Sequence, residues 1–303
     1  TRVALSSLDK TLEGLLCALE SPSSIWGAPI AVNLPGLSTT VGEMANALQE
    51  VAGKDVANLL QWKLESEFGQ NKGAHGGVWE CPDLFKIKVN GTQEEKWVLL
   101  VSINPGAPNG GSATQYFVGN FDGKTFTTSQ KETKWMDYGT DNYAGVTYND
   151  TPNGDRISIG WMSNWNYARD TPTTNWRSAM TLPRTLSLST IKGDYVLQSQ
   201  PVAQLDKQLS TDFSIEKIKL NKGANKTFTY SNLNQSKIQF KAENKNLKLV
   251  FSNDANDLLV LHYDAQKQTF AIDRRLSGKV EFEKSFGEKI HTTPTPNLIT
   301  KNI

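Results

Sequence analysis

The chain has 303 residues, 38% hydrophobic and 21% charged, with a formal net charge of +1. That balance reads as a soluble globular chain and gives no electrostatic reason for a nucleic-acid partner. No run of about 18 apolar residues occurs, which excludes a helical membrane span, and Thr1 to Lys10 carry no basic segment leading into an apolar core, so no signal peptide is legible.

Cys17 and Cys81 are the two thiols, too few for a disulfide framework. The three histidines, His75, His262 and His291, are scattered and share no close spacing with cysteine, so neither a metal nor any other cofactor is expected.

Residues 1–61 read as a short helical segment. Leu8, Leu12, Leu15, Leu16 and Leu19 recur at helical spacing. Thr40-Val41-Gly42-Glu43 resembles a capping box ahead of Met44, Leu48 and Val51. Ala31 to Gly36 reads as a short strand and turn between the two helices.

Residues 62–200 switch to β. Leu84–Val89, Trp97–Ile103, Gln115–Phe121 and Ile157–Met162 are short runs rich in β-branched and aromatic residues. Asn90-Gly91, Asn109-Gly110-Gly111, Asp122-Gly123 and Asn153-Gly154 supply the turns between them. Such repeats suit propeller blades or a flat sandwich equally. Residues 201–303 are again β but richer in lysine. There Phe213/Ile215, Ile238/Phe240 and Leu247/Leu249/Phe251 alternate as half-buried strands do, and Leu258–Tyr263 with Thr269–Ile272 flank a turn at Asp264–Lys267.

The chemistry concentrates in Trp79-Glu80-Cys81-Pro82-Asp83-Leu84-Phe85. A glutamate desolvated by an indole stays protonated more readily and can serve as a general acid. Asp83 adds a second carboxylate. The glycines of Gly73-Ala74-His75-Gly76-Gly77 permit close backbone approach, and Ser102 to Pro108 form a polar loop. Trp135 to Ala144 and the group Trp161, Asn164, Trp165, Tyr167, Trp176 and Arg177 mix aromatic faces with polar groups, the inventory that sugars require.

Glu65-Ser66-Glu67-Phe68-Gly69, Gly73 to Phe85, Ser102 to Pro108, Gln115 to Phe126 and Ile159 to Tyr167 together resemble glycoside hydrolase family 32, which contains invertases, inulinases and levanases. Ala271-Ile272-Asp273-Arg274-Arg275 with Ser277-Gly278 resembles the same family's C-terminal sandwich. The resemblance implies a mainly β fold: a partial five-bladed β-propeller, later blades only, over 62–200, and a truncated β-sandwich over 201–303. It implies retaining hydrolysis of terminal β-fructofuranosyl units, with levan, inulin or sucrose as partner. Glu80 would be the acid/base residue, and Asp137 would hold the sugar beside it. Tyr143, Asn164, Trp165 and Trp79 would line the pocket. Relatives acting on fructans are often secreted or periplasmic.

Two hallmarks of that family are absent from these 303 residues. One is the run tryptophan-(methionine or isoleucine)-asparagine-aspartate-proline-asparagine-glycine that holds the nucleophile. The other is an arginine-aspartate-proline run that stabilises the transition state; Arg169-Asp170-Thr171-Pro172 stands on the wrong side of Glu80 to match it. Residues 1–61 instead resemble the C-terminal part of an extended short-chain dehydrogenase/epimerase, on Val32 to Ser38 and the helix after it, without a nicotinamide-binding glycine run. The chain thus reads as a dehydrogenase-like tail joined to the later blades of a fructosidase that is inactive by itself. A non-catalytic fructan-binding fragment and an NAD-dependent dehydrogenase/epimerase are the alternative functions.

Overall fold

The computed structural model describes residues 2–5, 37–40, 64–210, 213–215, 217–242 and 246–295. It divides into two compact units, Thr1–Glu67 with Thr173–Trp176, and Phe68–Pro172 with Arg177–Ile303. In the first unit, β1 (Arg2–Leu5) pairs antiparallel with β2 (Leu37–Thr40). These two strands correct the helical reading for their own residues. The expected helices and the turn at Ala31 to Gly36 lie outside the described residues.

The second unit carries three antiparallel sheets. The first joins β3 (Val78–Lys88), β4 (Glu95–Asn104), β5 (Ala113–Phe121) and β6 (Phe126–Thr127), with β7 (Lys134–Trp135) also on β5. The second orders β10 (Ala179–Met180), β9 (Arg156–Met162), β11 (Arg184–Ile191) and β12 (Asp194–Pro201), with β8 (Tyr143–Tyr148) on β9. The third runs β13 (Leu247–Ser252), β14 (Leu258–Asp264), β15 (Thr269–Leu276) and β16 (His291–Pro294), with the short helix α1 (Lys284–Gly287) between the last two.

The first two sheets are blades of a β-propeller, and side-chain alternation explains why they stack. Even-numbered residues of β4 and β5, among them Val98, Leu100, Tyr116 and Val118, join Phe85, Val89, Leu186, Leu188 and Leu197 in one buried core. Odd-numbered Val101 and Phe117 turn to the opposite face, where Phe126, Phe68 and Trp79 pack. Val89 and Leu188, both fully buried, form a parallel bridge between the blades, and the amide of Asn90 donates to the Leu188 carbonyl at 2.7 Å.

The expected strands over Leu84–Val89, Trp97–Ile103, Gln115–Phe121 and Ile157–Met162 fall within β3, β4, β5 and β9, Val89 lying one residue past β3, and the hairpin about Asp264–Lys267 is β14–β15. The strands expected at Phe213/Ile215 and Ile238/Phe240 are corrected. Those residues have no regular structure and stand 40–59% exposed. Alternation marks a strand only where a second sheet covers its apolar side, and no sheet among the described residues buries these side chains.

Leu100 is 1% exposed in the inter-blade core, so Leu100→Ala should cost about 2–5 kcal/mol. Phe213 is 59% exposed, and Phe213→Ala should change stability by less than about 0.5 kcal/mol. Urea unfolding of both variants checks the contrast, and equal losses would contradict this assignment of the core.

Candidate active site

Glu80 lies on β3 at a β-bulge. Glu80 pairs with Ser102 and Asp83 with Leu100, so β3 carries one residue more than β4 between these points. Cys81, inside the bulge, takes the left-handed backbone conformation at φ 47°. An extra residue reverses the side-chain parity of a strand. Trp79 therefore falls on the face of Leu84 and Phe117, while Glu80 shares the face of Phe85 and Ser102, toward the second blade.

There the Tyr143 hydroxyl donates to Glu80 Oε2. Tyr143 begins β8, which has its own bulge between Tyr143 and Val146 and its own left-handed residue, Ala144, at φ 50°. The two irregular points are tied together. The Ala144 amide donates to Ser102 Oγ at 3.1 Å, and Ser102 is the residue opposite Glu80. Three residues along β3, Asp83 Oδ2 accepts from the amide and the hydroxyl of Thr147, both at 2.7 Å. Asp83 thus serves to dock β8 on β3. The close approach expected of the glycines occurs at Gly77, where an added Cβ would sit 2.2 Å from the Pro105 carbonyl oxygen.

Burial, followed by the hydrogen bond to Glu80, holds the Tyr143 phenol above its ordinary range, so it remains a donor. Glu80 is exposed and lines an open cleft together with Val78, Asn104, Trp165, Arg169 and Asp170. Trp165 is 47% exposed, packs on Trp161 at 5.0 Å between ring centroids, and lies under the Arg169 guanidinium at 6.0 Å. Its amide donates to Ser112 Oγ at 3.1 Å.

The remaining expected site residues separate from this cleft. The idea that the Trp79 indole walls Glu80 is corrected: the bulge turns Trp79 to the opposite face, where it lies 5.7 Å from Phe117 and donates to the Ala74 carbonyl at 2.8 Å. Asn164 is 1% exposed, and its amide is spent on the Thr140 carbonyl at 2.8 Å and the Gly110 carbonyl at 3.2 Å. It anchors the loop that presents Trp165, and the expectation that it lines the pocket is corrected. Asp137 does not line the cleft of Glu80. It accepts from the Gly139 amide at 2.8 Å and the Asn142 side chain at 2.7 Å, and it lines a more enclosed pocket against the third sheet. Trp176 belongs to the first compact unit.

The sequence by itself assigns no role to Ser102, Asp141 or Arg274. Arg274 on β15 meets Asp141 Oδ2 at 2.9 Å and donates to the Tyr167 hydroxyl at 3.1 Å, while Tyr167 donates to Asp141 Oδ1 at 2.6 Å. This cluster holds the segment 137–142 that delivers Tyr143. Its signal, an arginine amid apolar strand residues, was visible in Asp273-Arg274-Arg275 but not its partner. Among the described residues no three His, Cys, Asp or Glu side chains converge as metal ligands would.

A blade-borne glutamate held by a tyrosine at the mouth of a cleft lined by Trp165 fits glycosidic chemistry. The family model described as glycosyl hydrolases family 32 N-terminal domain matches residues 38–201, and the chain belongs to that family. It is 37% identical to a levanase of Bacillus subtilis, over 78% of this chain and 36% of that protein, and 38% identical to an extracellular exo-inulinase of Aspergillus niger, over 79% and 47%. The crystal structure of an exo-inulinase from Aspergillus awamori superposes with a TM-score of 0.60 at 34% identity, covering 78% of this chain and 48% of that one. The chain thus spans less than half the length of these relatives. The family match begins inside residues 1–61, so the dehydrogenase resemblance is not borne out.

Three buried phenols give this unit an alkaline weakness. Burial pushes Tyr116 and Tyr167 up to about 12, the latter with help from Asp141, and raises Tyr143 as well. Raised folded-state values stabilise the fold fully below the unfolded tyrosine value, and this contribution is lost as pH rises through the folded ones. The urea midpoint should therefore fall between about pH 9 and about pH 11.5, and fall less in Tyr143→Phe. A flat profile would contradict these protonation states.

Proposed function

We propose that this chain carries the proton-donating half of a β-fructofuranosidase site, acting on terminal fructosyl units of levan, inulin or sucrose. The observation that carries the reading is the hydrogen bond from Tyr143 to Glu80 Oε2 at the mouth of the Trp165 cleft. With Oε2 committed to Tyr143, Oε1 is the oxygen that carries the transferable proton. In a retaining mechanism it protonates the departing glycosidic oxygen and later takes a proton from the attacking water. The Trp165 face packs on the sugar's C–H surface, and Arg169 and Asp170 offer a donor and acceptors to its hydroxyls.

Double displacement also needs a nucleophilic carboxylate about 5–5.5 Å from the acid. The sequence run that supplies it in this family does not occur in the 303 residues. Asp83, the nearest carboxylate in sequence, is bound to Thr147. The same observation supports a second reading, a fructan-binding module without turnover.

The 303-residue chain should release no fructose from sucrose or levan above the buffer rate. Release that vanishes in Glu80→Gln would show a complete site and overturn the half-site reading. Calorimetry against levan oligosaccharides separates the two proposals: micromolar affinity supports the binding module, whereas millimolar or weaker affinity supports the half-site alone.

A further inference from the structure

Between the loop 137–142 and the third sheet lies a pocket of about 190 Å³ that the hydrolytic reading does not use. At about 30 Å³ per water molecule it has room for some half-dozen waters, or for one monosaccharide ring. Its floor is Phe270 and Ile272 of β15. Its rim carries polar groups with hydrogen-bonding capacity to spare.

His291 is the most informative of these. It is 7% exposed and lines the pocket, yet its ring has no hydrogen-bond partner among the described residues. Its nitrogens are not among the fully enclosed polar atoms left unsatisfied, so the ring that lines the pocket keeps some access to solvent. Water in the pocket can partner these nitrogens, so a ligand that displaces it must offer the ring a donor or an acceptor in its place. Arg184 also lines the pocket. Among the described residues its guanidinium meets only Asp137, at 3.5 Å, leaving most of its five N–H donors without a protein partner there. The Tyr138 hydroxyl also lines the pocket and has no hydrogen-bond partner among the described residues.

The remaining charges decide the ligand class. Asp141 and Arg274 neutralise each other at 2.9 Å, and Asp137 sits beside Arg184. An anion would meet two carboxylates and a cation two guanidinium groups, so neither is favoured. Burial and the nearby Arg274 push His291 down, so near neutral pH it is an uncharged ring offering one donor and one acceptor. Hydroxyl groups, which both give and accept, fit such a rim, and the apolar floor fits the C–H face of a sugar ring.

We propose that this pocket is a second, non-catalytic binding site for one neutral sugar unit, gripped by His291, Arg184 and Tyr138 over Phe270. It stands independently of Glu80, because none of its lining residues lines the Glu80 cleft.

The test is an NMR titration of the full 303-residue chain with D-fructose and with a fructose-terminated trisaccharide, following the imidazole signals of His291 beside those of His75 and His262. His291 should shift saturably, and Tyr138→Phe should weaken the effect at least threefold and Arg184→Met at least tenfold. Trp165→Ala should leave it unchanged. Tyr138→Phe removes one unpartnered hydroxyl and keeps the fold, so loss of signal there is not loss of structure. The proposal is overturned if His291 stays still at molar-scale excess of both sugars, if both rim variants bind as the parent does, or if Trp165→Ala abolishes the shift. Absence of any Trp165 response with a normal His291 shift would instead count against the Glu80 reading and leave this one standing.

Discussion

One extra residue in β3 decides the character of this molecule. Without the bulge at Cys81–Pro82, the alternation that sends Phe85 toward the second blade would send Trp79 there too, and Glu80 would face Phe117 and the apolar packing of Phe68 and Phe126. A carboxylate buried there would be costly and useless. The bulge instead delivers Glu80 to the seam between blades, where Tyr143 waits on a strand broken in the same manner. Ser102 links the two irregularities, since it lies opposite Glu80 and accepts from the amide after Tyr143.

The seam is held from a third side as well. Arg274 gathers Asp141 and Tyr167, and Asn164 takes the Thr140 carbonyl. The segment between Asp137 and Asn142 is therefore fixed at several points before the chain enters β8. A single exposed ion pair contributes little to stability, but this group combines a half-buried arginine, a buried phenol and the Phe286 ring, 3.7 Å from the guanidinium. Its role is positional: it sets where Tyr143 begins.

Much of this was legible from residues. Aromatic and β-branched runs between glycine turns located β3, β4, β5 and β9, and the run Trp79 to Phe85 drew attention to Glu80, the proposed acid. What composition could not reveal was direction. The sequence places Trp79 next to Glu80, and adjacency suggested an indole wall; only the register shift shows that the indole faces the other way. Asn164 and Trp165 are adjacent too, yet one is sealed in the loop and the other open to the cleft. Asp137 read as a neighbour of Glu80 because its motif is close by family resemblance, whereas its carboxylate is tied into its own loop. Phe213/Ile215 and Ile238/Phe240 show the converse failure, where alternation was present and no covering layer gave it meaning.

The junction of Asn109 with β16 has a consequence for solubility. Among the described residues β16 is an outer strand of its sheet, the kind of edge on which another polypeptide can add itself. The Asn109 side chain returns both bonds of Thr292, donating to its carbonyl at 2.9 Å and accepting from its amide at 3.1 Å. A single amide group thereby imitates one rung of a neighbouring strand. It plugs that position in the ladder with three atoms and leaves an incoming chain no continuous register to copy.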